Sequence, residues 1–140
     1  MFSKYKIQNP SSWTMLIFGV LALFLGLFSI INPNNTLNQL GFEIVDKSQR
    51  ASHDYTLVFI TASSMASFNI GVYYILAAVN NMKKFYLWTV PFRMVTFTVF
   101  TISVLTGLAP GRFEIVAVWE LTGAILTGLA LWYEKIKGIA

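Results

Sequence analysis

Residues 85–108 form an apolar stretch whose only formal charge is Arg93. About 20 mainly apolar residues are enough to cross the hydrocarbon core of a bilayer as an α-helix, which rises about 1.5 Å per residue. A charged side chain at that depth costs about 3 kcal/mol on insertion scales, so an arginine that faces lipid is strongly disfavoured. The sequence therefore predicts a transmembrane helix whose arginine faces other helices or a hydrated cavity between them.

Three further apolar stretches of transmembrane length lie at residues 13–31, 55–79 and 113–133. Hydrophobic residues make up 56% of the chain and charged residues only 11%, whereas a soluble domain carries about 25% charged residues. We therefore predict a single integral membrane domain over residues 1–140. It is expected to be all-α, a bundle of four transmembrane helices with antiparallel neighbours, and its one long loop, residues 32–54, is expected on the outer side.

The basic residues are unevenly shared between the two ends of the predicted helices. Six lie on the side of the termini and three on the side of the long loop: Lys4, Lys6, Lys83, Lys84, Lys135 and Lys137 against Lys47, Arg50 and Arg112. Because cytoplasmic loops carry the excess of positive charge, both termini are predicted to be cytoplasmic. The membrane topology therefore explains the net charge of +4. The chain has no basic patch of the kind that would indicate nucleic acid as a partner. The expected partner is the lipid bilayer of the cell membrane.

Arg93 and Glu120 are charges of opposite sign inside the predicted spans, and Asn69 places an amide inside the second span. Counted along the helices, Arg93 lies roughly 12 Å, Asn69 roughly 15 Å and Glu120 roughly 20 Å from the cytoplasmic ends. Since side chains lean toward the N-terminus of their helix, Arg93 leans toward the cytoplasm and Glu120 leans away from it. A water, a polar side chain or a ligand head group between the two charges is therefore at least as well supported as a direct bond.

A polar interior built from Arg93, Glu120 and Asn69 has two interpretations. In the first, the three side chains form hydrogen bonds that fix the register of the helices. In the second, they line a pocket for a small hydrophobic or lipid-like ligand, because ionisable groups inside membranes often mark functional sites. The sequence supports both interpretations equally.

The chain contains no recognisable catalytic, cofactor or metal motif. It has no cysteine and a single histidine, His53, so the converging ligands that a zinc site needs are missing. His53 and Asp54 precede the second span and suggest proton handling, but a lone interfacial histidine is more often a solvated loop residue. We predict no catalytic residue, no cofactor-binding residue and no metal site.

Small residues are spaced along two faces of the second predicted helix. One face carries Ser63, Ser67 and Gly71, and the other carries Ala62, Ala66, Asn69, Tyr73 and Ala77. Small residues at four-residue spacing allow membrane helices to approach closely. A helix with two such faces is expected to contact two neighbours, and these faces also suit a homo-oligomer.

Several short motifs resemble the BphX-like and DoxX-related families of small four-helix bacterial membrane proteins. The motifs are Pro33, Leu40-Gly41, Arg50, Gly71-Val72-Tyr73, Lys83-Lys84-Phe85, Arg93, Gly107 and Trp119-Glu120-Leu121. The resemblance covers nearly the whole chain and implies a multi-pass protein of the bacterial inner membrane. It implies no particular biochemical activity.

Two classes of function follow from these features. Because no catalytic constellation is present, the first is a non-enzymatic accessory protein or a small-molecule or lipid-binding protein with a polar interior around Arg93 and Glu120. The alternative is a membrane enzyme or carrier for a lipid-like or small hydrophobic substrate. In that alternative, Glu120 acts as a proton donor or acceptor.

Overall fold

The structure, a computed structural model, describes residue 7 and residues 9–139. The helices in this part of the chain are α1 (Pro10–Ile31), α2 (Pro33–Gln39), α3 (Thr56–Val79), α4 (Lys83–Leu105) and α5 (Glu114–Ile136), with a 3₁₀ turn at Gly111–Phe113. No strand occurs among the described residues. The helices α1, α3, α4 and α5 are each long and apolar enough to cross a membrane. This confirms the all-α class and the presence of four helices of transmembrane length.

Proline and glycine explain where two of these helices end. Pro33 occupies the first turn of α2 directly after Asn32, a position at which its missing N–H costs nothing, and α1 therefore stops before it. Gly107 has a φ of +74°, which glycine adopts at a helix end without a steric penalty. For this reason α4 ends at Leu105, before the predicted end at residue 108.

The contact between α1 and α3 is close because glycine and serine residues line it. A Cβ atom on Gly71 would lie 2.5 Å from a backbone nitrogen of α1, and one on Gly26 would lie 2.6 Å from a backbone nitrogen of α3. Both distances are too short for any real side chain, so only glycine fits at these two positions. The hydroxyl of Ser67 donates a hydrogen bond to the carbonyl of Ala22 across the same contact, at 3.1 Å. Small residues thus bring the two backbones together, as they do in membrane helix pairs.

The remaining contacts are unevenly distributed among the long helices. The helix α1 packs against α3 and also against α5, while α4 packs mainly against α5. A short turn at residues 80–82 joins α3 to α4. Side chains in the half nearest this turn bridge the two helices, from Tyr86 and Ala77 to Arg93 and Tyr74, but the helix backbones stay apart. The side of the bundle between α3 and α4 is therefore poorly closed, and we call this side the α3–α4 opening.

Candidate functional site

Arg93 is buried in α4, with only 3% of its surface exposed. Its guanidinium carbon lies 4.6 Å from the ring centroid of Phe18 and 4.9 Å from that of Tyr74. Both rings belong to the buried apolar core of the bundle, so α1 and α3 each place an aromatic ring beside the charge. Cation–π contacts of this kind stabilise a guanidinium that has left water.

The Arg93 Nε atom lies 3.8 Å from Glu120 Oε2 and donates a long hydrogen bond of 3.4 Å to the hydroxyl of Tyr74. The separation of the two charges is within ion-pair range but exceeds the 2.7–2.9 Å that is usual for a charge-assisted hydrogen bond. The structure therefore brings Arg93 and Glu120 together without a tight direct bond. The Tyr74 hydroxyl is the polar side chain beside the pair.

A second nitrogen of the guanidinium is held against α5 at Gly123. The Nη1 atom of Arg93 is buried and has no hydrogen-bond partner among the described residues. A Cβ atom on Gly123 would lie 1.4 Å from it, so the glycine leaves the space that the guanidinium occupies. Glycine at position 123 thus permits this position of the guanidinium, a relation between two helices that the sequence does not predict.

Glu120 is the accessible member of the pair. Its side chain is 22% exposed, although it faces the bundle interior together with Ala117 and Thr127, which are 0% exposed. These residues lie three and seven positions from Glu120, spacings that place side chains on one face of a helix. The burial of that face is therefore interrupted at the level of Glu120.

Asn69, the third predicted member of the site, is half-buried in α3. No hydrogen bond joins Asn69 to Arg93 or Glu120 within residues 9–139. Tyr74 follows it by five residues, about 140° further round the helix, and is the α3 residue that reaches Arg93. The role of Asn69 stays a prediction. Because Tyr74 carries no formal charge, the intramembrane charges in the sequence do not point to it.

Glu134 is a second buried carboxylate, at the end of the bundle where α5 finishes. Only 1% of its surface is exposed. Its Oε1 atom accepts a hydrogen bond of 2.7 Å from the backbone N–H of Ser11 in the first turn of α1. Its Oε2 atom lies 3.2 Å from Lys83 Nζ at the start of α4. A carboxylate at a helix N-terminus interacts favourably with the free amides and with the helix dipole.

Neighbouring hydroxyl and amide groups extend this contact to the other helices. The Ser12 hydroxyl donates to the side-chain carbonyl of Asn81 at 3.1 Å and lies 3.2 Å from the Tyr86 hydroxyl. Tyr86 in turn donates to the carbonyl of Ala77 at 2.9 Å. Together with Glu134 these groups form what we call the polar end cluster, which joins the ends of α1, α3, α4 and α5.

His53 and Asp54 lie just before the start of α3. His53 is exposed, whereas Asp54 accepts hydrogen bonds from the hydroxyl and the backbone N–H of Thr56 at the start of α3. These bonds, with Arg50 at 2.9 Å, hold the pKa of Asp54 below its ordinary value. Asp54 thus stabilises the start of α3.

An apolar groove of about 320 Å³ lies on the surface between α4 and α5. It is lined by Val90, Met94, Ala124, Ile125, Gly128 and Leu129. Polar atoms contribute almost nothing to its surface, so it offers contact to hydrocarbon but no recognition of a head group.

Comparison of the chain with protein-family models, with curated proteins and with solved structures finds no match.

Proposed function

We propose that this protein is a non-enzymatic, multi-pass protein of the cell membrane that binds a small hydrophobic or lipid-like molecule beside Glu120. The observation that supports this function is the 22% exposure of the Glu120 side chain, which lies between the fully buried residues Ala117 and Thr127 on one face of α5. A reachable carboxylate at membrane depth needs a hydrogen-bonding neighbour, because hydrocarbon offers none. The head group of a bound molecule supplies one. A relationship to small four-helix bacterial inner-membrane proteins belongs to the same proposal and is supported by the four helices of transmembrane length.

The molecule enters through the α3–α4 opening. Tyr74 contacts α4, since its ring centroid lies 5.9 Å from that of Phe85 and its hydroxyl binds Arg93. Ile70 precedes Tyr74 by one turn and shares its face of α3. Ile70 is nevertheless exposed, so α4 does not cover this part of the face. Ile70 therefore lies at the α3–α4 opening, one turn from the Tyr74 hydroxyl that accepts the hydrogen bond of Arg93.

The helices run antiparallel, with both termini on the cytoplasmic side. Support comes from the contacts of α1 with α3, in which Gly19 meets Gly71 while the later Gly26 meets the earlier Ser64. Further support comes from the hydrogen bond between Ser11 and Glu134, because it joins the start of α1 to the end of α5. The excess of lysine on that side then orients the bundle.

Single cysteines test this orientation, since the chain has none of its own. Lys47→Cys in the long loop and Lys84→Cys at the start of α4 are both at exposed positions. In intact cells, a membrane-impermeant maleimide is expected to label Lys47→Cys only, and Lys84→Cys is expected to react after permeabilisation. Labelling of Lys84→Cys alone in intact cells contradicts the orientation.

Quenching of Trp119 fluorescence tests ligand binding. Trp119 lies next to Glu120 in the chain, and its ring centroid is 4.7 Å from that of Phe18, which also contacts Arg93. The other three tryptophans are exposed and can be replaced by phenylalanine: Trp13, Trp88 and Trp132. In bilayers that contain this variant, a brominated long-chain amphiphile is expected to quench Trp119 in a saturable manner.

Two matched substitutions on α3 locate the binding. Ile70→Phe fills the α3–α4 opening and is expected to weaken saturable quenching about tenfold, roughly 1.4 kcal/mol of binding free energy. Leu76→Phe enlarges another exposed apolar side chain of α3, well away from that face, and is expected to have no effect. If no amphiphile quenches Trp119 saturably, the proposed function is wrong.

A further inference from the structure

We propose that the head group bound beside Glu120 is a neutral hydroxyl, as in a long-chain alcohol or a neutral glycerolipid. This inference rests on the proposed function and adds the chemical class of the ligand. It rests on the order in which an entering molecule meets the polar atoms of the site.

An entering head group meets the carboxylate before it meets the guanidinium. The Glu120 side chain is 22% exposed and the Arg93 side chain only 4%. The rings of Phe18 and Tyr74 lie over the guanidinium, and its Nη1 atom is pressed against Gly123. An anionic head group is therefore repelled by Glu120 before it can reach Arg93.

The accessible carboxylate has unused capacity to accept hydrogen bonds. An ionised carboxylate is an acceptor only, with about four lone-pair positions. No side chain or backbone group among the described residues donates a hydrogen bond to Glu120, and the nearest charge, Arg93 Nε, lies 3.8 Å away. The bound group must therefore be a donor, and a hydroxyl and an ammonium group are two such donors.

The charge balance of the site distinguishes between these two donors. Arg93 and Glu120 neutralise each other, so no net negative charge is left for a second cation. An ammonium group would bring an uncompensated positive charge to membrane depth, where charges are expensive, and would also approach Arg93. A hydroxyl donates the same kind of hydrogen bond without either penalty. The site thus selects a neutral donor.

Three brominated amphiphiles with the same alkyl chain test this selection, one with a primary alcohol, one with a sulfonate and one with a primary ammonium head group. The protein is the variant that retains Trp119 as its single tryptophan. Amounts are expressed as mole fractions in the bilayer, so that differences in partitioning do not enter. We expect the alcohol to quench Trp119 saturably at a mole fraction at least about tenfold lower than either charged amphiphile. We also expect Ile70→Phe, but not Leu76→Phe, to weaken quenching by the alcohol.

The other outcomes separate this inference from the proposed function. Tightest binding of the sulfonate or the ammonium amphiphile overturns the inference and leaves a ligand site beside Glu120. Equal binding of all three overturns it as well, since the head group is then not recognised. If none of them quenches saturably, the inference and the proposed function both fail. Binding of the alcohol that Ile70→Phe does not weaken overturns the assignment to the α3–α4 opening.

Discussion

Replacement of Glu134 by leucine is expected to lower the free energy of unfolding by about 2–4 kcal/mol. The carboxylate is 1% exposed and accepts the backbone N–H of Ser11 at 2.7 Å. Leucine leaves that amide, at the N-terminus of α1, without its partner and also removes the ion pair with Lys83. The substitution weakens the polar end cluster. Because this cluster joins all four long helices, we expect the whole bundle to unfold more easily. Denaturant unfolding in detergent micelles measures the change.

Two further substitutions make this measurement specific. Glu134→Gln retains an acceptor for Ser11 and is expected to cost about half as much as Glu134→Leu, since only the charge is lost. Glu43→Leu makes the same change at an exposed position of the long loop and is expected to stay within about 0.5 kcal/mol of the parent protein. A Glu134→Leu variant as stable as Glu43→Leu would show that the polar end cluster does not hold the helices together.

Replacement of Glu120 by leucine is expected to destabilise the protein by about 3–5 kcal/mol, more than Arg93→Leu does. Arg93 is buried and cannot lose its proton, so in Glu120→Leu its charge is left without a counter-ion. In Arg93→Leu, the stranded group is a partly exposed carboxylate, which takes up a proton at much lower cost. The double variant strands no charge, and we expect it to recover at least about 1 kcal/mol relative to Glu120→Leu.

The coupling free energy from this double-mutant cycle is the quantity that decides whether the two charges act together. Thermal unfolding in detergent of the parent, the two single variants and the double variant provides it. Thr122→Leu on the exposed side of α5 is the control for an added leucine and is expected to be nearly neutral. A double variant no more stable than Glu120→Leu would mean that the pair, 3.8 Å apart, is not coupled.

The sequence alone was sufficient to predict the four long helices and the burial of Arg93. Helix length and apolar composition are local properties of a chain, so the four apolar stretches could be recognised without knowledge of their neighbours. The cost of a charge in lipid is equally independent of the fold, and Arg93 is indeed buried, at 3% exposure. The ends of the helices were less predictable, since they depend on individual residues such as Gly107 at the end of α4.

Only the tertiary structure decided which groups surround the Arg93 guanidinium. The rotation of α3 about its axis is set by the contact of Gly71 with α1, and this rotation brings Tyr74 to Arg93. The burial of Glu134 could not be predicted from the sequence, because it depends on the start of α1, more than 120 residues away in the chain. Distances between side chains on different helices depend on how the helices pack, and a pattern along one helix contains no information about the depth or rotation of its neighbours.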